Sequence, residues 1–256
     1  MRRQALAGRH VVVTRPEAQA DSLCAAITAQ GGMPVRFPVL AIGPAADRSE
    51  LERCIGGLDA YDLAFFVSPN AVRYALDAVL ARRGWPPRLK VATVGRGSER
   101  ALNAFGFCEV IAPQDGFDSE AVLALPSFRA EAVAGRRVLI FRGDGGRDLL
   151  GETLRERGAA VDYVTCYRRY RPDLNPSPLL ELARDGRLDA ITLTSSEGVD
   201  NLVAMLGTEG MTRLGAIPLF ASHPRIAERA RAAGFTRVIE TPAGDDGLLA
   251  ALASHF

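Results

Sequence analysis

The chain has 256 residues, 48% of them hydrophobic and 24% charged, with a formal net charge of +1. This is the profile of a soluble globular chain with enough length for one large domain or two small ones. The near-neutral balance gives no support to a nucleic-acid or membrane-surface role. Four scattered cysteines (Cys24, Cys54, Cys108, Cys166) form no CxxC pair, and His10, His223 and His255 give no metal-ligand spacing. Free thiols of this kind suit a reducing cytoplasm. The N-terminal apolar run is three valines, too short for a signal peptide or a membrane span. Lys90 is the only lysine; the other basic side chains are arginine, whose planar fork suits carboxylates and phosphates.

Taken in order, the chain alternates short apolar runs with segments of helical length. "HVVVT" (10–14) is a strand. "EAQADSLCAAITAQGG" (17–32) has apolar residues at helical spacing and ends on glycine, a common helix stop. "MPVRF" and "VLAI" are extended, and "DLAFFV" (62–67), "KVATV" (90–94) and "EVIA" (109–112) are further strands. "RVLIF" (137–141), the helical "RDLLGETLRERGA" and "AVDYV" (160–164) follow. "DAITLT" (189–194), "IPLFA" (217–221) and "RVIE" (237–240) complete the set. Continuous apolar strands with helices between them predict parallel sheets covered on both faces, an α/β fold.

The chain also repeats itself. A shift of 127 residues carries Arg15 onto Arg142, Leu23 onto Leu150, Gly31 onto Gly158, Ser68 onto Ser195, Val72 onto Val199 and Asp118 onto Asp245. Gly106 and Gly234 keep step to within one residue. A shared offset along most of the chain predicts a duplication.

Several strands run into small polar turns: Thr14-Arg15-Pro16, Ser68-Pro69-Asn70, Gly95-Arg96-Gly97-Ser98, Arg142-Gly143-Asp144, Ser195-Ser196 and Ser222-His223-Pro224-Arg225. In open α/β sheets, ligands bind at the carboxyl ends of the strands, where helix N-termini offer unpaired N–H groups to anions. The same serines can simply cap the helices that start there. "RGDGG" lacks the Lys-Ser/Thr of a phosphate loop, and "VGRGSERA" is not a dinucleotide fingerprint. Neither a Ser/His/Asp order nor a metal cluster is evident. The pattern fits a surface that grips a polyanion without a classical nucleophile.

"VVVTRPEAQADSLCAAITAQGG", "FFVSPNAV", "VATVGRGSERAL", "VLIFRGDGGRDLLGETLRERGAAVDYVTCYRR", "TLTSSEGVDNL" and "ASHPRIAERARAAGF" together resemble the uroporphyrinogen-III synthase family over nearly the whole chain. The resemblance implies two similar flavodoxin-like domains, each with a parallel five-stranded sheet. They would comprise residues 1–38 plus 169–256 and residues 42–165, joined by a two-stranded β-ladder at 39–41 and 166–168. It implies a cofactor-independent lyase acting on hydroxymethylbilane, a linear tetrapyrrole with eight carboxylates, which closes to uroporphyrinogen III with inversion of ring D and loss of water. Tyr167 matches the tyrosine proposed in the family as the acid; its alternative is a packed linker aromatic. Thr14, Arg15, Ser68, Pro69, Asn70, Gly95, Ser98, Arg142, Gly143, Ser195, Ser196, Ser222 and Arg225 are candidates for substrate binding. Arg15 and Arg142 are also readable as solvated helix-start arginines. Ser98 stands where some relatives have Thr. The paired threonines that others carry near Arg225-Ile226 are missing here, leaving Ser222 as the available hydroxyl. A cytoplasmic monomer is expected, with the bilane as partner, delivered by hydroxymethylbilane synthase, and neither nucleic acid nor membrane. The competing reading is a two-domain binding protein for an anionic small molecule, without chemistry.

Overall fold

The computed structural model describes residues 4–256, so residues 1–3 of the first expected domain lie outside the described residues. The chain divides into two compact units. One combines the chain up to Ala41 with Tyr170–Phe256; the other is Ile42–Arg169.

The first unit holds strands β1 (His10–Val13), β2 (Met33–Arg36), β9 (Ala190–Leu193), β10 (Leu219–Ala221) and β11 (Val238–Glu240). The second holds β3 (Ala41–Pro44), β4 (Leu63–Phe66), β5 (Lys90–Thr93), β6 (Val110–Ile111), β7 (Arg137–Gly143) and β8 (Ala160–Tyr170). The strand orders are β2-β1-β9-β10-β11 and β3-β8-β7-β4-β5-β6. Adjacent strands from β2 to β11 and from β8 to β6 pair in parallel.

The apolar runs are explained by burial on both faces. Along β4, Leu63 and Phe65 enter one core layer, and Ala64 and Phe66 the other. Along β1, Val11 and Val13 face one layer and Val12 the opposite one. This is the period of two expected of a strand sandwiched by helices. Each fully buried Phe or Leu contributes roughly 1.5–3 kcal/mol by leaving water.

The repeat is visible in the strand positions. β7 starts 127 residues after β1, β8 starts 127 after β2, and β9 starts 127 after β4. Five strands of each sheet therefore follow one order, but the copies are exchanged. The first sheet takes its first two strands from the first copy and its last three from the second; the other sheet does the reverse.

One expectation needs correction. The second sheet has six strands, because Ala41–Pro44 adds itself beside β8 at the edge. That added strand lies against the segment that carries 166–168: β3 is hydrogen-bonded beside β8, and the Ala45 N–H donates to the Cys166 carbonyl at 3.3 Å. Val39 is buried in the core of the first unit, while Cys166 and Tyr167 are buried in that of the second. β8 is 11 residues long and carries 166–168 into the second sheet.

Candidate active site

Parallel strands bring all their carboxyl ends to one edge of each sheet. In the second unit this edge gathers Ser68 after β4, Gly95 and Ser98 after β5, and Gly143 and Tyr167 at the end of β7 and along β8. In the first unit it gathers Thr14 and Arg15 after β1, Ser195 and Ser196 after β9, and Ser222 and Arg225 after β10.

Tyr167 owes its position to an irregularity. Along β7 and β8, Arg142 is opposite Thr165, but Gly143 is opposite Tyr167, so Cys166 is an extra residue in β8. A bulge of this kind re-aims the side chains that follow it. Cys166 and Tyr167 consequently enter the same core layer instead of opposite faces. Gly143 makes room for the phenol: a Cβ there would lie 2.7 Å from Tyr167 Cζ. The Tyr167 ring is 3% exposed and stacks on Tyr74, with centroids 6.1 Å apart and planes 23° apart. Tyr74 is fixed in turn by its hydroxyl, which donates to the Ile42 carbonyl at 2.9 Å.

The Tyr167 hydroxyl meets Ser68. Ser68 Oγ donates to Tyr167 Oη at 3.1 Å and accepts from the Ala71 N–H at 3.1 Å. The second contact is an N-cap of helix Pro69–Leu80. Ser68 is therefore both a cap and a ligand of the phenol. The neighbouring Cys166 thiol is held neutral: burial pushes it up to about 12, and Sγ donates to the Arg142 carbonyl at 3.2 Å.

Capping narrows the supply of free amides at these helix starts. In helix Pro69–Leu80, Pro69 has no N–H, Ala71 N–H is taken by Ser68 Oγ and Val72 N–H by Ser68 O, which leaves Asn70. In helix Arg96–Ala104, Ser98 and Glu99 N–H both bond Gly95 O, which leaves Arg96 and Gly97. These two helix starts adjoin, since a Cβ on Gly97 would lie 3.5 Å from Pro69 Cγ. Ser98 itself is buried.

In the first unit, Ser195 caps helix Ser196–Leu214 by accepting from Gly198 N–H at 2.9 Å, the counterpart of Ser68. Ser196 Oγ is buried and, among the described residues, is the only such side-chain oxygen or nitrogen without a hydrogen-bond partner. At helix Pro224–Ala232 the cap is His223, whose Nδ1 accepts from Arg225 N–H at 3.2 Å. The sequence directs attention to the Ser222 hydroxyl there and leaves the imidazole without a role; a polar residue directly before Pro224 is the signal that could have found it. Thr14 is buried, and its hydroxyl donates to the Thr192 carbonyl at 2.6 Å, inside the sheet.

The two arginines are paired within the chain. Arg15 forms an ion pair with Asp245. Arg142 donates to Asp148 at 2.5 Å and to the Gly146 carbonyl at 3.1 Å, and lies over the Tyr163 ring. Tyr74, the bulge at Cys166 and the partners of Arg142 all escape sequence reading, because each depends on a contact between distant segments. Among the described residues, no three His, Cys, Asp or Glu side chains group as a metal would require, and no helix is long and apolar enough to cross a membrane.

A sequence model of the family described as uroporphyrinogen-III synthase HemD matches residues 21–250. The chain belongs to the uroporphyrinogen-III synthase family. It is 34% identical over 160 residues to the uroporphyrinogen-III synthase of Escherichia coli, a match covering 62% of this chain and 64% of that one. The matched segment thus spans just under two thirds of that relative's length. A uroporphyrinogen-III synthase of Synechococcus elongatus is 27% identical over 232 residues, covering 88% of this chain and 86% of that one. In fold, the chain is similar to a mutant uroporphyrinogen III synthase of Thermus thermophilus, with a TM-score of 0.59 at 18% identity, covering 96% of this chain and 99% of that one. For the uroporphyrinogen-III synthase family, the parallel α/β architecture described above is therefore the shared frame.

Proposed function

We propose that this chain is a uroporphyrinogen-III synthase, a lyase that cyclises hydroxymethylbilane to uroporphyrinogen III with inversion of ring D and loss of water, in tetrapyrrole biosynthesis. The observation that carries the reading is Tyr167, a phenol re-aimed by a bulge to a sheet's carboxyl edge and held there by Ser68 and Tyr74 in a chain of this family. The family match and the absence of a nucleophile–base pair among the candidate residues both favour chemistry driven by the substrate itself.

The mechanism follows from the groups available. The Tyr167 O–H gives its proton to the departing hydroxyl, the C–O bond breaks, and water leaves. The pyrrole nitrogens stabilise the resulting azafulvene. The substituted carbon of ring D attacks it through a spiro intermediate; the ring reopens and closes in the inverted sense. The proton released as the last pyrrole regains aromaticity returns to the phenolate. Most of the rate and all of the isomer choice come from positioning.

For the carboxylate arms, the free amides of Asn70, Arg96 and Gly97 are suitable donors at positively polarised helix starts. Ser196 Oγ is a buried hydroxyl that a ligand oxygen would satisfy. Gly95, Ser98, Ser195, Ser222 and Arg225 complete the proposed substrate-binding set. Arg15 and Arg142 join it by sharing carboxylates they already hold. Each unit is read as a flavodoxin-like domain, since five strands in the order 2-1-3-4-5 characterise that fold. The enzyme works as a cytoplasmic monomer, receives its bilane from hydroxymethylbilane synthase, and needs no cofactor.

The test is Tyr167→Phe in a coupled assay with hydroxymethylbilane synthase. In this variant kcat should fall about 100-fold, within the range for removing one general acid, with circular dichroism unchanged. A folded variant with wild-type kcat removes Tyr167 from the chemistry.

A further inference from the structure

The sequence allows Ser68 two roles, a helix cap and a hydroxyl for a substrate carboxylate. Its hydroxyl also faces a phenol of the chain itself. A serine hydroxyl has one proton to donate, and Ser68 Oγ donates it to Tyr167 Oη at 3.1 Å while accepting the Ala71 N–H. The phenol oxygen that accepts this bond keeps its own proton for another acceptor. The phenol ring cannot swing away: Gly143 lies against one side and Tyr74 stacks on the ring. We propose that Ser68 is a positioning residue for Tyr167, which aims the phenolic proton at the substrate and stabilises the phenolate left after proton transfer.

The inference rests on the reading of Tyr167 as proton donor and deepens it. The balance is simple. The Tyr167 O–H bond breaks as the proton passes to the leaving hydroxyl oxygen, and the electron pair stays on Tyr167 Oη. The Ser68 O–H does not transfer its proton; its hydrogen bond becomes charge-assisted and strengthens while the phenolate exists. When the phenolate recovers a proton on ring closure, the original arrangement returns. The interaction is stronger at the transition state than in the resting enzyme, so it acts on kcat more than on KM.

The duplicate site shows what a serine in this turn does without a phenol. Ser195 caps its helix through Gly198 N–H in the same way, and the residue equivalent to Tyr167 in the other copy is Leu40. Capping alone thus accounts for a serine at this position, while the bond to a phenol belongs only to Ser68.

The experiment is a double-mutant cycle on kcat, using the full chain with saturating hydroxymethylbilane: wild type, Ser68→Gly, Ser68→Thr, Tyr167→Phe and the Ser68→Gly/Tyr167→Phe pair. Glycine is chosen because it is tolerated as an N-cap and removes the hydroxyl with little loss of helix stability. Ser68→Gly is expected to lower kcat about 10-fold or more, the worth of a hydrogen bond to a charged oxygen, with KM changed less than about 3-fold. Ser68→Thr keeps the hydroxyl and restores most of the rate. In the Tyr167→Phe background, Ser68→Gly should do nothing further. If the serine substitution costs the same factor with or without the phenol, Ser68 acts on substrate or on folding, and the proposal is wrong. A Tyr167→Phe variant as fast as wild type removes the proton-donor reading and this inference with it. Wild type that forms no isomer III rejects the activity itself.

Discussion

Tyr167 illustrates how one residue depends on its smallest neighbour. The ring occupies the space where Gly143 has no side chain, and a Cβ would meet its Cζ at 2.7 Å. Gly143→Ala must displace the phenol or the strand. The expected result is a loss of about 1–3 kcal/mol in urea unfolding, the usual cost of overpacking, together with a kcat defect as large as that of Tyr167→Phe. A variant with unchanged kcat would mean that the phenol position is unimportant. Next to it, the buried Cys166 thiol is pushed up to about 12, and desolvation also raises Cys54 to about 11. The unfolded chain ionises these thiols from about pH 9, before the folded one does. Their contribution is therefore complete below pH 9 and is lost as pH rises towards those higher values. Stability should decline across that window, and the Cys54→Ala/Cys166→Ala pair should decline less steeply. Equal slopes in urea titrations at graded pH would refute the assignment.

The strands carry a device that the repeat has preserved twice. Asp62, just before β4, accepts from the backbone N–H of Arg137 at 2.9 Å and from the Arg136 guanidinium at 3.0 Å. In the other unit, Asp189, just before β9, accepts from the backbone N–H of His10 at 2.9 Å and from the Arg9 guanidinium at 2.7 Å. Each aspartate clips the start of its own strand to the start of the neighbouring one, at the edge opposite the site. The backbone hydrogen bond, with help from Arg136, holds the Asp62 carboxyl below the usual carboxylate range. Asp62→Ala and Asp189→Ala should each cost about 1–2 kcal/mol of stability, since each leaves a strand-end amide without its acceptor; neither should change the isomer ratio. A loss of isomer III in either variant would mean that this edge takes part in the site.

The elements themselves were legible in the amino-acid pattern, because burial on both faces writes itself as an unbroken apolar run. "DLAFFV" and "HVVVT" could hardly be anything else, and the serine before Pro69 announced a helix start. What the pattern could not carry was relation. The extra residue at Cys166 changes no local preference, yet it decides which way Tyr167 points. Nor does a serine's sequence position reveal whether its proton goes to water, to substrate or to a phenol. The pairing of Arg142 with Asp148 and the seating of Tyr74 on Tyr167 are likewise contacts between side chains that local periodicity does not encode.

The two units are built by exchange. Apart from Ala41 at the start of β3 and Tyr170 at the end of β8, every strand residue of the second sheet lies within Ile42–Arg169, although its strands derive from both copies of the repeat. The segment 42–169 should therefore fold alone and cooperatively. The single tryptophan, Trp85, reports on it, since it packs on Phe66 and Phe107. The segment 128–256, one whole copy of the repeat, lacks β4, the other neighbour of β7, and β3, the other neighbour of β8, and should not fold cooperatively. The opposite pair of results in urea titrations would contradict this assignment of the cores.

If the proposed activity is right, the whole chain directs the closure of hydroxymethylbilane. The bilane left alone closes without inversion, so the product itself reports the enzyme. Hydroxymethylbilane synthase would supply the substrate, this protein would be added, and the oxidised porphyrins would be separated by chromatography. Isomer III should dominate in the presence of the wild-type chain and isomer I in its absence. Isomer I dominating despite folded protein would contradict the proposed activity and leave a two-unit protein that binds anions without chemistry.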